Sequence, residues 1–192
     1  MHKTPWLTLL LIPLLFATCQ ATAKQCMGID FPEQIQMDGS RLSLNGLGLR
    51  EATVLKIDVY VAALYAGQKS NDPNALLKPD NAKQLVLHFL RDVKRDDITK
   101  AWNEGFEKNA NNALPSLADR IATLNGWMAD VAPGSRLTFS YQPASGLQVN
   151  VAGASKGRIP GDDFASAFFA IWLGANPPNP GLKSGLLGGG CG

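Results

Sequence analysis

Few of the groups that carry enzyme chemistry are present in this sequence. Its 192 residues include two histidines and three cysteines. His2 lies at the start of the N-terminal stretch, ahead of an apolar run, which leaves His88 as the one histidine for a folded domain. A structural or catalytic zinc draws three or four nitrogen, sulfur or carboxylate ligands together. Cys26, His88 and Cys191 stand far apart along the chain, so neither a metal nor a cofactor is expected. A serine hydrolase would need His88 as its base, but "VLHFL" sets it within a strand with no nucleophile elbow nearby. A structural role is expected for it. "LNGLGLR" holds G-x-G but lacks the third glycine and the following helix of a nucleotide-binding turn. Asp96 with Asp97, and Asp162 with Asp163, sit where helices begin, where acidic side chains are stabilised without any catalytic duty. The formal charge is +2, of which Lys3 contributes one unit. With no basic run and no basic-aromatic stripe, nucleic acid is not an expected partner. No internal repeat or linker divides the chain.

Long apolar runs are also scarce, with one exception. After His2 and Lys3 comes "WLTLLLIPLLFA", interrupted by Pro13 and followed by the small residues "ATA" at Ala21 to Ala23. A short positive start, a broken apolar core and a small-residue cut site predict a cleavable secretory signal over residues 1–23. Residues 24–192 then form a single domain of about 170 residues, enough for a real core. Two other readings are a lipoprotein site at Cys19, against which bulky Thr18 counts, and an uncleaved anchor. No transmembrane span is expected once the signal is removed, and the protein is expected to be exported, periplasmic or secreted. Its remaining cysteines, Cys26 and Cys191, are an even pair in an exported chain, which suggests a disulfide joining the two ends. The alternative is two free thiols in frayed tails.

Periodicity predicts the elements. From Arg41 to Arg50 leucines alternate with polar residues or glycine, a strand with Gly46 and Gly48 as flexible points. From Leu55 to Tyr65, Leu55, Ile57, Val59, Val61, Ala63 and Tyr65 share a dry face. Lys56, Asp58, Tyr60, Ala62 and Leu64 share a mixed one. "QLVLHFLRDV" is a further strand. In "RDDITKAWNEGFEKN", apolar residues recur at helical spacing, with Asp96 placed to cap the first turn. "LPSLADRIATLNGWMADV" repeats the helical pattern, with Pro115 near its start. "RLTFSYQ" and "LQVNVA" flank "PASG" as a hairpin. "GDDFASAFFAIWLG" is an apolar helix capped by Asp162 or Asp163 and stopped by Gly174. The Pro- and Gly-rich tail after it reads as a surface loop or a docking segment. Strands, two helices, a hairpin and a helix make an α+β fold with an antiparallel sheet.

Arg50 is the residue that points to chemistry. A guanidinium keeps its proton, so a buried one needs an anionic or strongly accepting partner. Its planar fork matches a carboxylate with two parallel hydrogen bonds. Tyr60, on the mixed face of the next strand, is placed as a second donor. Together at the closed end of an apolar cavity they suit a fatty acid or another amphipathic carboxylate. The competing reading is an internal salt bridge from Arg50 to Glu51, Asp58 or Asp92, with Tyr60 merely packing.

"GLGLR", "VYVAALYAG", "LHFLRDV", "APGSRLTFSYQPASGLQVNV" and "FFAIWLGANPPNPGLKSGLLG", in that order from about Gly28 to Gly188, resemble the chalcone isomerase-like family, in particular its exported bacterial branch. The resemblance implies an open-faced β-sandwich, a large antiparallel sheet with helices on one face and a ligand cleft between. Some members of that family cyclise chalcones to flavanones. Fatty-acid-binding relatives do no known chemistry and hold a carboxylate with an arginine and a tyrosine. The family arginine falls on Arg50. Where the enzymes place a threonine this chain has Tyr60, as in the fatty-acid-binding branch. The enzymes' helical tyrosine and asparagine fall on Ile98 and Gly105, and a hydroxyl residue of their last helix on Ile171. All but the arginine depart from the enzyme pattern. Cyclisation needs donors that hold a developing enolate, which Ile98 and Ile171 cannot supply. The resemblance therefore implies a binder of a small apolar carboxylate through Arg50 and Tyr60, with Ile98, Gly105 and Ile171 lining the cleft. Its rivals are an isomerase with a rearranged site, in which Arg50 and Tyr60 would be catalytic, and an envelope interaction protein whose cleft is filled by its own side chains.

Overall fold

The computed structural model describes residues 22–52, 55–110 and 113–191. The signal expected over residues 1–23 lies outside the described residues up to residue 21, as does Cys19. A hairpin of β1 (Ala23–Cys26) and β2 (Ile29–Pro32) comes first. Next come β3 (Gln34–Met37), β4 (Ser40–Ala52), β5 (Ile57–Ala66), α1 (Pro73–Leu77) and β6 (Lys83–Phe89). Two helices follow, α2 (Arg95–Asn109) and α3 (Leu114–Gly126), then β7 (Arg136–Gln142), β8 (Gly146–Val151) and β9 (Ala154–Ile159). The chain closes with α4 (Asp162–Leu173) and α5 (Pro180–Leu186). Strands β3 to β9 form one antiparallel sheet in sequence order. The architecture is α+β, an open-faced β-sandwich with the helices against one face of a curled sheet. Its curl brings the β3–β4 turn toward the far strands. Gln142 Nε2 donates to the Met37 carbonyl at 3.3 Å, and Arg158 stands 3.6 Å from Asp38.

Period two decides what each strand face meets. On β5, Tyr60, Ala62, Leu64 and Ala66 enter the main core, beside Trp102 and Phe106 of α2 and Phe168 and Trp172 of α4. Val61, Ala63 and Tyr65 pack on the other side with Phe31, Cys26 and the β4 leucines, where the β1–β2 hairpin covers the sheet. Both faces of β5 are thus buried, and the expected mixed face is the one that meets the helices. Its polar members fall at the strand's start, where Lys56 (φ 50°) belongs to the turn. Leu55, expected on the dry face, is 78% exposed in that turn.

Several expectations are corrected. The third predicted strand ends at Phe89, and the exposed Arg91 and Asp92 carry the chain away toward α2. Asp96 does not cap α2, whose N-cap is Lys94. Neither Asp162 nor Asp163 is the N-cap of α4. That residue is Gly161, at a φ of 101° that glycine adopts without a Cβ penalty, while Arg120 holds Asp163 through two bonds of 2.7 Å. The tail is not a loop: α5 forms within it, with Leu182 and Leu186 fully buried. Gly46 and Gly48 are not flexible points. A Cβ at either would run into the backbone of α5, at Gly185 and Leu182 respectively, so they are glycine to let a helix lie on the strand. Cys26 and Cys191 form a disulfide with Cα atoms 5.8 Å apart, tying the N-terminal hairpin to the chain beyond α5.

Candidate functional site

Gly46, Gly48 and Arg50 alternate along one face of β4, so the strand that accepts α5 also delivers Arg50 just beyond that helix's first residue. Arg50 is the register partner of Tyr60 on β5. Directly opposed residues of an antiparallel pair project to the same side, with Cβ atoms about 5 Å apart. One residue further the register shifts, Glu51 pairing with Asp58, so Val59 is an extra residue on β5. Bulges of this kind bend a strand and re-aim side chains.

These two residues stand in a cleft of about 940 Å³ between the sheet and α2, α4 and the 175–178 segment. Arg50, Tyr60, Ile98, Gly105 and Ile171, all singled out from the sequence, line this one cleft. Val59, Leu87 and Phe89 add to its floor, and Trp102 and Trp172 to its wall. Charged groups such as Arg91, Asp97 and Lys108 are exposed at the rim. Gly105 is required by its neighbour: a Cβ there would meet Ile171 Cγ2 at 2.6 Å, so α2 and α4 cross closely at this wall. Space remains open beside Arg50, so the protein's own side chains do not fill the cleft.

Arg50 is half-buried. Its Nη1 donates to the Glu51 backbone carbonyl and to Asn179 Oδ1 at 3.5 Å, while Asn179 Nδ2 donates to the Leu49 carbonyl at 3.1 Å. Among the described residues it pairs with no carboxylate, so the salt bridge considered to Glu51, Asp58 or Asp92 is not formed. Tyr60 is 8% exposed, and its oxygen accepts a hydrogen bond of 2.9 Å from Trp172 Nε1. Burial pushes its phenol up to about 12, against smaller opposing effects of the Trp172 bond and the Arg50 charge. Tyr60 is therefore a neutral phenol with a proton to give. A permanent cation, a neutral donor and an apolar chamber can together hold an anionic head and an apolar tail.

Asn179, Trp172 and Trp102 escaped the sequence reading. A signal for Asn179 was present: asparagine followed by proline is a helix-start pair, and Asn179 is the N-cap of α5. Trp172 sat in a run so apolar that only packing was expected of it. His88 is placed away from the cleft, with Nδ1 accepting from Arg136 Nε at 3.1 Å and its ring edge-on to Phe31. Among the described residues no group of histidine, cysteine and carboxylate side chains could hold a metal ion, and no helix is long and apolar enough to cross a membrane.

The architecture is thus a curled antiparallel sheet with a cleft under its helices that holds an arginine and a tyrosine. The family model described as chalcone isomerase-like matches residues 23–188, and the chain belongs to that family. No curated protein sequence matches it. Among solved structures it is similar to a fatty-acid binding protein of Arabidopsis thaliana, at 16% identity and a TM-score of 0.66, over 88% of this chain and 96% of that one. At that identity the likeness shows the fold.

Proposed function

We propose that this chain is an exported, single-domain binder of a fatty acid or similar apolar carboxylate, in which Arg50 is the ion-pair donor and Tyr60 the second donor. One observation carries this reading: a half-buried guanidinium in an apolar cleft, with no acidic partner among the described residues. A fixed charge in low dielectric is costly unless an anion joins it. The apolar walls would contribute about 0.8 kcal/mol per buried methylene of the tail. That the Arabidopsis neighbour is a fatty-acid binding protein supports the same reading. Native mass spectrometry of purified protein, with lipid extraction, tests it. Bound acyl carboxylates, or their uptake by ligand-free protein, are expected; protein that stays ligand-free when offered fatty acids would contradict it.

The retained Arg50 also favours a second reading, an isomerase of chalcone isomerase type. The cleft presents Ile98 and Ile171 where that chemistry needs donors, and losing one such donor typically costs about 3 kcal/mol. Consumption of chalcone faster than the spontaneous reaction, and abolished in Arg50→Ala, would promote this reading over binding.

A further inference from the structure

The hydrogen-bond direction at Tyr60 has a consequence for which head groups the cleft accepts. A phenol can both donate and accept, so alone it would welcome an acid or an alcohol. Here the indole of Trp172, which can only donate, already occupies the Tyr60 oxygen at 2.9 Å, in a buried position. Among the described residues nothing accepts the Tyr60 proton. Arg50 likewise offers only donors, and Asn179, whose oxygen accepts from the guanidinium at 3.5 Å, is not among the residues that line the cleft. Both protein groups at this end of the cleft therefore present protons. A buried donor set left without acceptors is penalised, and an alcohol brings a further proton for which neither Arg50 nor Tyr60 offers an acceptor.

We propose that Trp172 is a specificity-determining residue: by filling the accepting side of Tyr60 it makes the head-group end of the cleft donor-only, and so selects a deprotonated acid over an alcohol of the same chain. This rests on the carboxylate-binder reading. Trp172 acts on the head group through Tyr60, whose oxygen its indole N–H occupies. Its position follows from packing, since Phe168 (5.1 Å between ring centroids) and Trp102 (6.4 Å) hold the indole against rotation.

The test compares decanoate with decanol, by calorimetry, on wild type, Trp172→Phe, Tyr60→Phe and the double variant. Wild type is expected to prefer decanoate. In Trp172→Phe the preference should fall about fivefold, the scale of one hydrogen bond, because the freed Tyr60 oxygen can now accept from the alcohol. In the Tyr60→Phe background the same change should do nothing further, whereas a loss due only to altered packing would persist there. Should Trp172→Phe fail to fold, benzothienylalanine at position 172 replaces the N–H by sulfur at nearly constant shape, and the same fall is expected. A preference unchanged by losing the N–H, or a fall equally large without the Tyr60 hydroxyl, overturns the inference while the binder reading stands. Failure of wild type to bind decanoate or any longer saturated acid overturns both.

Discussion

A guanidinium keeps its proton, and burial keeps the Tyr60 phenol protonated far into the alkaline range. Their partnership with an acid head group should therefore not titrate near neutrality. The alkaline limb of stability should titrate instead. The Tyr60 phenol moves from 10.0 in an unfolded chain to about 12 in the fold, so the native state holds a proton that the unfolded chain releases between those values. Its contribution is fully present below pH 10 and is lost as pH rises toward 12. Tyr65, also raised to about 12 by burial, adds to the same decline. Urea unfolding followed below and above this window should show Tyr60→Phe losing less stability than wild type, by on the order of 2 kcal/mol. Identical slopes would mean that Tyr60 is not buried as described. At this scale the sequence was informative where a single residue carried the message. A permanent cation at the end of a glycine-alternating strand stands out in one dimension. The indole that polarises Tyr60 lies 112 residues from it, and the amide that steadies Arg50 lies 129 away; neither meeting leaves a local trace.

Among the elements, α5 does the least expected work. Pro180 starts it, two glycines of β4 make room for it, and its N-cap Asn179 then reaches Arg50. Gly48→Ala should push α5 off the strand, costing about 1–3 kcal/mol by overpacking and weakening carboxylate binding through the displaced Asn179. Thermal unfolding and a ligand titration check both; a stable variant with wild-type affinity would show that α5 is not coupled to the site. A second tie joins α1 to the sheet. Lys83 on β6 is 1% exposed and donates to the Leu76 and Lys78 carbonyls, each at 2.7 Å, over the rings of Tyr141 and Phe169. Burial lowers its ammonium from 10.5 to about 8, partly offset by Asp80 and Asp162. The unfolded chain therefore binds more protons between those values, so stability from this group rises from pH 8 to 10.5 and is lost as pH falls through 8. Lys83→Met should abolish that rise. It should also cost about 1–3 kcal/mol at neutral pH by stranding two buried carbonyls; a flat pH response in both proteins would contradict this assignment. Regular periodicity made β4, β5, β6, α2, α3, the β7–β8 hairpin and α4 legible. The short β1, β2, β3 and α1, and the edge strand β9, carry too few apolar repeats to announce themselves. The tail's glycines and prolines concealed a helix stabilised by what it lies against.

For the whole molecule, the long-range closure is the disulfide between Cys26 and Cys191, which are 165 residues apart. Removing a crosslink over so long a loop costs at most about 5 kcal/mol in the chain-entropy account. Because the linked segments are also docked, the Cys26→Ser, Cys191→Ser double variant should lose about 2–4 kcal/mol in chemical unfolding yet keep its ligand affinity while folded. Unchanged stability would indicate that docking alone holds the two ends. Cysteine parity and the expected signal anticipated this pairing, and the ordered family motifs anticipated the sheet. The cleft's open volume was beyond any pattern, because it depends on how far α2 and α4 stand from β4 and β5. The most direct measurement of the central claim is a calorimetric titration of a saturated fatty acid into wild type and Arg50→Met. Methionine keeps much of the side chain's length and none of its charge. Binding to wild type and an affinity about tenfold weaker or worse in the variant are expected, in line with loss of a charge-assisted pair. Equal affinities for the two proteins would contradict the account.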